Sequence, residues 1–300
     1  MRIFENANYD LIGSRKIGYI ISGVLLIVSL FSLVFNGLEL GIDFRGGMEF
    51  IVELDEVHSA TEIRSVLADV LDQEPEVKTF GSPNDLLIRT ADTREMREVQ
   101  ALIVATIEQA FPGSNPEILK TDIVGPRFAK DLQQGAIYSI LGSLLVIFVY
   151  ILIRFEWRFG VGAVAALFHD VLITLGVFSL LRFIVPFSLQ VDQTIIAAFL
   201  TIVGYSLNDT VVVFDRIREY TGLFKAEKYA TVVNRSVNNT LSRTVITSGT
   251  TLIVVLILFI FGGEVLRGFA FALMVGIVIG TYSSVFVASP VVLALRQRTI

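Results

Sequence analysis

The sequence predicts a polytopic α-helical membrane protein with six transmembrane helices and one small α+β, ferredoxin-like domain between the first two. Three observations carry this. Of 300 residues 53% are hydrophobic and only 18% charged, and the mean hydropathy is +0.69, too apolar a balance for a soluble surface. Apolar runs close to twenty residues recur along the chain, and about 20 helical residues span a bilayer core of roughly 30 Å. The acidic charge is segregated. Residues 37–134 hold 19 acidic and 9 basic side chains, a net −10, whereas the remainder holds 10 and 15, a net +5.

Residues 1–36 are expected to hold a cytoplasmic N-terminus and the first span, Ile17–Phe35. Arg15 and Lys16 resemble the basic flank of a signal peptide. The apolar run is too long for one and no small-residue cleavage pair follows, so an uncleaved anchor is expected.

Segment 37–134 reads as an independent domain. Met48–Leu54 alternates, with Phe50, Val52 and Leu54 on one face, the period of a half-buried strand. Ser59 or Thr61 caps a helix running to Leu71, in which Ile63, Val66, Leu67 and Val70 fall at helical spacing. Val77–Phe80 and Leu86–Thr90 flank Gly81-Ser82-Pro83-Asn84 as a hairpin. A second helix spans Thr93–Phe111, and Glu117–Val124 is the last strand. The order β-α-β-β-α-β suggests the ferredoxin-like fold. Asp43-Phe44-Arg45-Gly46-Gly47 reads as a tight turn into the first strand. Gly46, Gly47 and Gly125 are the expected hinges of this domain, tethering it through 41–47 and 125–130. His58 is expected at its surface.

Residues 135–300 supply the other five spans, at Gly135–Ile153, Gly160–Phe183, Val191–Phe214, Thr240–Gly262 and Gly268–Leu295, with a cytoplasmic loop at 215–239. One set of short flanks collects 13 lysines and arginines: Arg2, Arg15, Lys16, Arg154, Arg158, Arg216, Arg218, Lys225, Lys228, Arg235, Arg243, Arg296 and Arg298. The opposite flanks hold Arg182 and Arg267. The positive-inside rule then places both termini in the cytoplasm and the acidic domain on the far, periplasmic side.

Ionisable groups within the spans are few, and each costs at least ~2.5–3.5 kcal/mol near mid-bilayer, so they mark function or pairing by default. Asp209 is the strongest case. Thr201, Tyr205 and Asp209 step by four, and Thr194, Thr201 and Asn208 by seven, giving the fourth span a polar stripe. Thr240, Arg243, Thr244, Thr247, Ser248 and Thr251 form a matching stripe on the fifth. Asp209 and Arg243 come out at similar depth on antiparallel helices, so the two charges are expected to approach each other. The rival reading is a static ion pair in a structural scaffold. His169-Asp170 in the third span is a secondary candidate, against the alternative of a buried histidine that only fixes a neighbour. In the last span Gly268, Ala272, Gly276, Gly280, Ser284 and Ala288 step by four, an edge for close helix packing.

Other chemistries lack their residues. There is no cysteine, and two histidines leave little for a metal site. No nucleophile elbow, His-Glu-x-x-His pair or P-loop spacing appears, so neither enzymatic activity nor nucleotide hydrolysis is expected. Nucleic-acid binding does not suit the acidic domain.

Several long stretches together resemble the SecF family of bacterial protein-export membrane subunits. They are Gly41-Ile42-Asp43-Phe44-Arg45-Gly46-Gly47, Phe168-His169-Asp170, Gly204-Tyr205-Ser206-Leu207-Asn208-Asp209-Thr210, Val213-Phe214-Asp215-Arg216-Ile217-Arg218-Glu219, Asn239-Thr240-Leu241-Ser242-Arg243-Thr244, Thr247-Ser248 and Gly280-Thr281-Tyr282-Ser283-Ser284. The resemblance covers nearly the whole chain. It implies a member of the resistance–nodulation–division superfamily in the bacterial inner membrane, paired with SecD as the pseudosymmetric other half. It also implies action beside the SecYEG channel after the SecA ATPase, on exported unfolded polypeptides, with protons as coupling ion and no other cofactor. By motif position the family's proton pathway falls on Asp209 and Arg243. Asn208 and Thr247 are expected to join it, with Tyr205, Thr244, Ser248, His169 and Asp170 as secondary members; Gly276, Gly280 and Ser284 would pack helices.

The expected mechanism is a proton on Asp209 that switches its pairing with Arg243. Burial and a neighbouring guanidinium act oppositely on a carboxylate, so a modest helix movement could load or release it. One charge crossing 100 mV supplies about 2.3 kcal/mol. Besides the scaffold, a small-molecule or lipid exporter half of the same superfamily is a rival, disfavoured by the single short insert.

Overall fold

The structure, a computed structural model, describes residues 7–297 apart from Glu74 and Pro186. Arg2 and Arg298 of the orientation count lie outside the described residues. The chain divides into a unit Leu40–Ile137 and a unit formed by the residues up to Glu39 with those from Tyr138 on.

The first span is α1 (Arg15–Phe35), whose buried residues are Gly18, Ser22, Ser29 and Ser32. Its large side chains, Ile17, Ile20, Ile27 and Phe31 among them, are exposed. α1 therefore docks by its small polar edge and turns its apolar bulk outward, the inverse of a soluble amphipathic helix.

In the Leu40–Ile137 unit, the expected tight turn is a short helix, α2 (Ile42–Arg45), ended by Gly46 at φ 77° and Gly47 at φ 131°. A Cβ on Gly47 would stand 2.6 Å from the Thr90 carbonyl oxygen, so both glycines are needed where β1 (Gly47–Glu53) begins. Gly125 has neither a positive φ nor a close neighbour. There follow α3 (Ala60–Ala68), β2 (Glu76–Phe80), β3 (Ser82–Thr90), α4 (Met96–Ala110) and β4 (Glu117–Val124). The sheet is antiparallel in the order β2-β3-β1-β4, the ferredoxin-like arrangement. Phe50 and Val52 face Ile63 and Leu67 of α3 and Ile103 and Ile107 of α4 in one core. Ser59 and Glu62 form a reciprocal capping box at 3.2 Å each way, contributing about 0.5–2 kcal/mol.

Three local expectations are corrected. The hairpin bends at Gly81 alone (φ 76°), and Ser82-Pro83-Asn84 belong to β3, where Phe80 pairs with Ser82. α4 starts at Met96, not Thr93, because Asp92 Oδ1 accepts from the Arg94 amide at 3.0 Å and holds the chain in a turn. His58 is half-buried, its ring 4.5 Å from that of Phe111.

The remaining spans are α5 (Pro126–Arg154), α6 (Trp157–Leu181), α7 (Gln193–Leu223), α8 (Tyr229–Phe261) and a last rod. That rod comprises α9 (Gly263–Ser283), a π-helical turn (Ser284–Ala288) and α10 (Ser289–Gln297). Among the described residues six helices are long and apolar enough to cross a membrane. Helix begins at Pro126, so the expected tether at 125–130 is mostly helical, Pro being suited to a first helical position. The expected loop 215–239 is likewise helical except for 224–228. α7, at 31 residues, is about 46 Å long and outruns the bilayer core. The π turn precedes Pro290, which has no N–H for the Phe286 carbonyl. Ser289 Oγ instead donates to the Ser284 carbonyl at 2.8 Å.

α6, α7 and α9 form the packed middle. Gly276 lies against Ile202, and a Cβ on Gly280 would stand 2.9 Å from Ser206 Cβ. Ser284 is buried and donates to the Thr281 carbonyl at 2.9 Å. One core cluster of the membrane body gathers Phe155, Phe159 and Phe214, with Phe159 and Phe214 edge to face at 4.9 Å.

Candidate functional site

Asp209 sits midway along α7 and is 3% exposed. Its Oδ2 accepts from Ser248 Oγ of α8 at 3.2 Å. Thr281 Oγ1 of α9 lies 2.7 Å from Ser248 Oγ and 2.7 Å from the Ile277 carbonyl, its single hydrogen shared between the two acceptors. A line of hydroxyls from Thr281 through Ser248 to Asp209 therefore crosses three helices. Beside it, Thr210 Oγ1 and Thr244 Oγ1 are buried without a hydrogen-bond partner among the described residues. An unmet buried hydroxyl costs about 1–3 kcal/mol, so two in the span containing Asp209 and its neighbour α8 suit a site that admits water.

Arg243 does not complete this site by contact. It is exposed, and among the described residues it forms no ion pair with Asp209; it acts on Asp209 only as a charge through space. A static Asp209–Arg243 lock is thus absent from this structure. Asn208 is exposed and Thr247 half-buried. Tyr205, also half-buried, donates to Thr251 Oγ1 at 3.4 Å.

The secondary candidates His169 and Asp170 are about as enclosed as Asp209, at 4% and 0% exposed. Asp170 Oδ2 accepts from Ser206 Oγ of α7 at 2.6 Å and Ser283 Oγ of α9 at 2.8 Å. Asp170 Oδ1 faces His169 Nδ1 at 2.9 Å. His169 Nε2 lies 3.1 Å from Ser22 Oγ of α1, which lies 3.0 Å from Tyr282 OH. Tyr282 donates to the Gly18 carbonyl at 2.7 Å. Ser22, Ser206, Thr281, Tyr282 and Ser283 take part in these contacts without being among the site residues expected from the sequence. The run Thr281-Tyr282-Ser283-Ser284 inside an apolar span was the available signal.

The comparisons with known proteins agree along the whole chain. Residues 103–298 match the family model of the SecD/SecF protein-export membrane protein C-terminal region, and residues 31–56 match the SecD/SecF GG motif. The protein translocase subunit SecF of Rhodothermus marinus is 70% identical over 298 residues, covering 99% of this chain and 96% of its own. That of Calditerrivibrio nitroreducens is 40% identical over 299 residues, covering 98% and 96%. The crystal structure of SecDF, a translocon-associated membrane protein from Thermus thermophilus, matches with a TM-score of 0.87 at 34% identity over 99% of this chain. This chain spans 40% of the length of that polypeptide.

Proposed function

The chain belongs to the SecF family of protein translocase subunits, and from that premise we propose that it couples proton movement to protein export through Asp209. The observation that carries the proposal is a carboxylate 3% exposed within a membrane span, met among the described residues by one hydroxyl and no cation. One hydrogen bond to a charged group contributes about 1.5–3 kcal/mol against the ~2.5–3.5 kcal/mol an intramembrane charge costs, so the ionised form gains little or no net stabilisation. A residue retained at that disadvantage is suited to exchanging a proton, with Ser248 and Thr281 as the hydrogen-bonded route and Arg243 as a movable charge beside it.

The whole machine is larger. A SecD-type polypeptide is the proposed partner, because SecDF is one translocon-associated chain of which this one matches 40%. Action beside SecYEG after SecA, on unfolded exported polypeptides, accords with membership of a translocase. Both termini are assigned to the cytoplasm and the Leu40–Ile137 unit to the periplasm, on the lysine and arginine counts. A scaffold held by an Asp209–Arg243 ion pair lacks that pair in this structure. A small-molecule or lipid exporter half does not fit relatives named as translocase subunits.

Asp209→Asn tests the proposal in the assembled complex. Proton-driven export is expected to fall at least tenfold while co-purification with the partner stays unchanged. Full proton-driven export by Asp209→Asn would overturn it, and lost co-purification would favour the scaffold.

A further inference from the structure

The donors around His169 and Asp170 can be counted hydrogen by hydrogen. Tyr282 has one hydroxyl hydrogen, and it goes to the Gly18 carbonyl, which can only accept. Tyr282 must therefore accept from Ser22 in their 3.0 Å contact. That commits the single hydroxyl hydrogen of Ser22. In the 3.1 Å contact between Ser22 and His169 Nε2, the ring is then the donor. On the other side, Asp170 Oδ2 accepts from Ser206 and Ser283, and Oδ1 faces His169 Nδ1 at 2.9 Å. Without a hydrogen between them, Nδ1 and Oδ1 would be two buried acceptors pressed lone pair to lone pair. Burial excludes the water that could relieve them.

We propose that His169 and Asp170 are a second proton-binding site of the membrane body, holding one proton between Nδ1 and Oδ1 so that the pair is neutral overall. The groups facing it are Ser22 from α1, Ser206 from α7, and Tyr282 and Ser283 from α9. Tyr282 is the one titratable group among these. Arg15, Lys16 and Tyr19 of α1, Asp209 of α7 and Arg296 of α10 make no hydrogen bond or ion pair with the pair among the described residues. Arg296 lies instead over the Tyr229 ring, at 4.1 Å.

This proton bears on how α1 is held. If it leaves, the ring either keeps Nε2–H and opposes Oδ1, or moves its hydrogen to Nδ1 and gives up its donor to Ser22. The first outcome keeps the bridge from α6 to α1 but leaves two buried acceptors opposed beside it; the second breaks that bridge or forces it to reverse. Ser22 is one of four buried contacts of a helix otherwise turned outward, and α1 leads directly to the Leu40–Ile137 unit. No hydrogen bond joins this cluster to the Thr281–Ser248–Asp209 line among the described residues, so the two sites can load separately. The inference does not depend on the role of Asp209.

The test is the protonation state of His169 in the full-length chain in lipid bilayers at pH 7. The chain has two histidines, so His58→Gln leaves His169 alone, and ring 15N labelling reads both nitrogens. Infrared spectroscopy reads the Asp170 carboxyl, assigned by its loss in Asp170→Asn. Two results support the site: an imidazolium beside an ionised Asp170, or an Nε2–H imidazole beside a protonated Asp170. A neutral ring beside an ionised Asp170, in either tautomer, overturns it, as does an imidazolium beside a protonated carboxyl.

Discussion

Asp92 shows how one carboxylate fixes a local conformation. It is 5% exposed and accepts from the Asp72 amide at 3.0 Å, the Arg94 amide at 3.0 Å and Arg94 Nε at 2.9 Å, and also pairs with Arg94 Nη2. The Arg94 guanidinium, more than any other neighbour, holds its pKa well below the usual 3.8, against the upward push of burial. A carboxylate lowered on folding stabilises fully above its unfolded pKa, and that stability is lost as the pH falls below it. Hydrogen exchange at Asp72 and the start of α4 in the intact chain, corrected for intrinsic rates, is therefore expected to quicken on going from pH 6 to pH 3. Asp92→Asn should abolish most of that pH dependence and exchange fast at both. Asp209 was legible in the sequence because a carboxylate in an apolar run stands out. Its hydroxyl partner Ser248 was legible as a secondary member of the α8 stripe; the distance to Arg243 was not, because spacing places a residue at a depth without saying where a long side chain ends. The burial of Asp170 was less legible for another reason. Its environment is made of serines from α7 and α9, and serine in a membrane helix is too common to signal anything by itself.

At the scale of elements, the α7–α9 contact makes the sharpest prediction. Gly280 rests against the Cα and Cβ of Ser206, at 3.4 and 2.9 Å from an added Cβ, and neither atom can rotate away. Gly280→Ala must part the two helices and lengthen the bond from Ser206 to Asp170. The expected loss is about 1–3 kcal/mol, read as a lowered thermal unfolding midpoint in detergent. Gly204→Ala, on the same α7 but facing open space, should stay within about 0.5 kcal/mol; equal effects would refute the packing account. The ferredoxin-like strands and six spans were legible because period-2 alternation and long apolar runs are local signals. Helix ends were not. Asp92 delays α4 by a side-chain hydrogen bond, and Pro126 opens α5 where glycine and proline together read as linker. The π turn before Pro290 needed the fold to be seen, since a step of four runs unbroken through Gly280, Ser284 and Ala288.

For the whole molecule, the governing physics is which side of the membrane each part faces. α5 carries exposed Leu141, Leu145, Val146 and Ile153, and α8 exposed Ile253, Val254 and Ile257, surfaces that lipid or a second membrane half must cover. Such faces set depth but say nothing of direction. Direction comes from charge: 13 basic residues on one set of flanks against 2 on the other, a bias that the positive-inside rule converts to topology. The −10 of the intervening segment does not oppose it, because long segments translocate largely regardless of their charge. A chain with no cysteine makes this directly measurable. Glu56→Cys, exposed in the Leu40–Ile137 unit, and Lys225→Cys, exposed between α7 and α8, would each carry the only thiol. A membrane-impermeant maleimide added to cells with a permeabilised outer envelope and an intact inner membrane is expected to label Glu56→Cys. Lys225→Cys should react only after the inner membrane is opened. The reverse pattern would invert the assignment, and with it the direction in which Asp209 and the His169–Asp170 pair could pass protons.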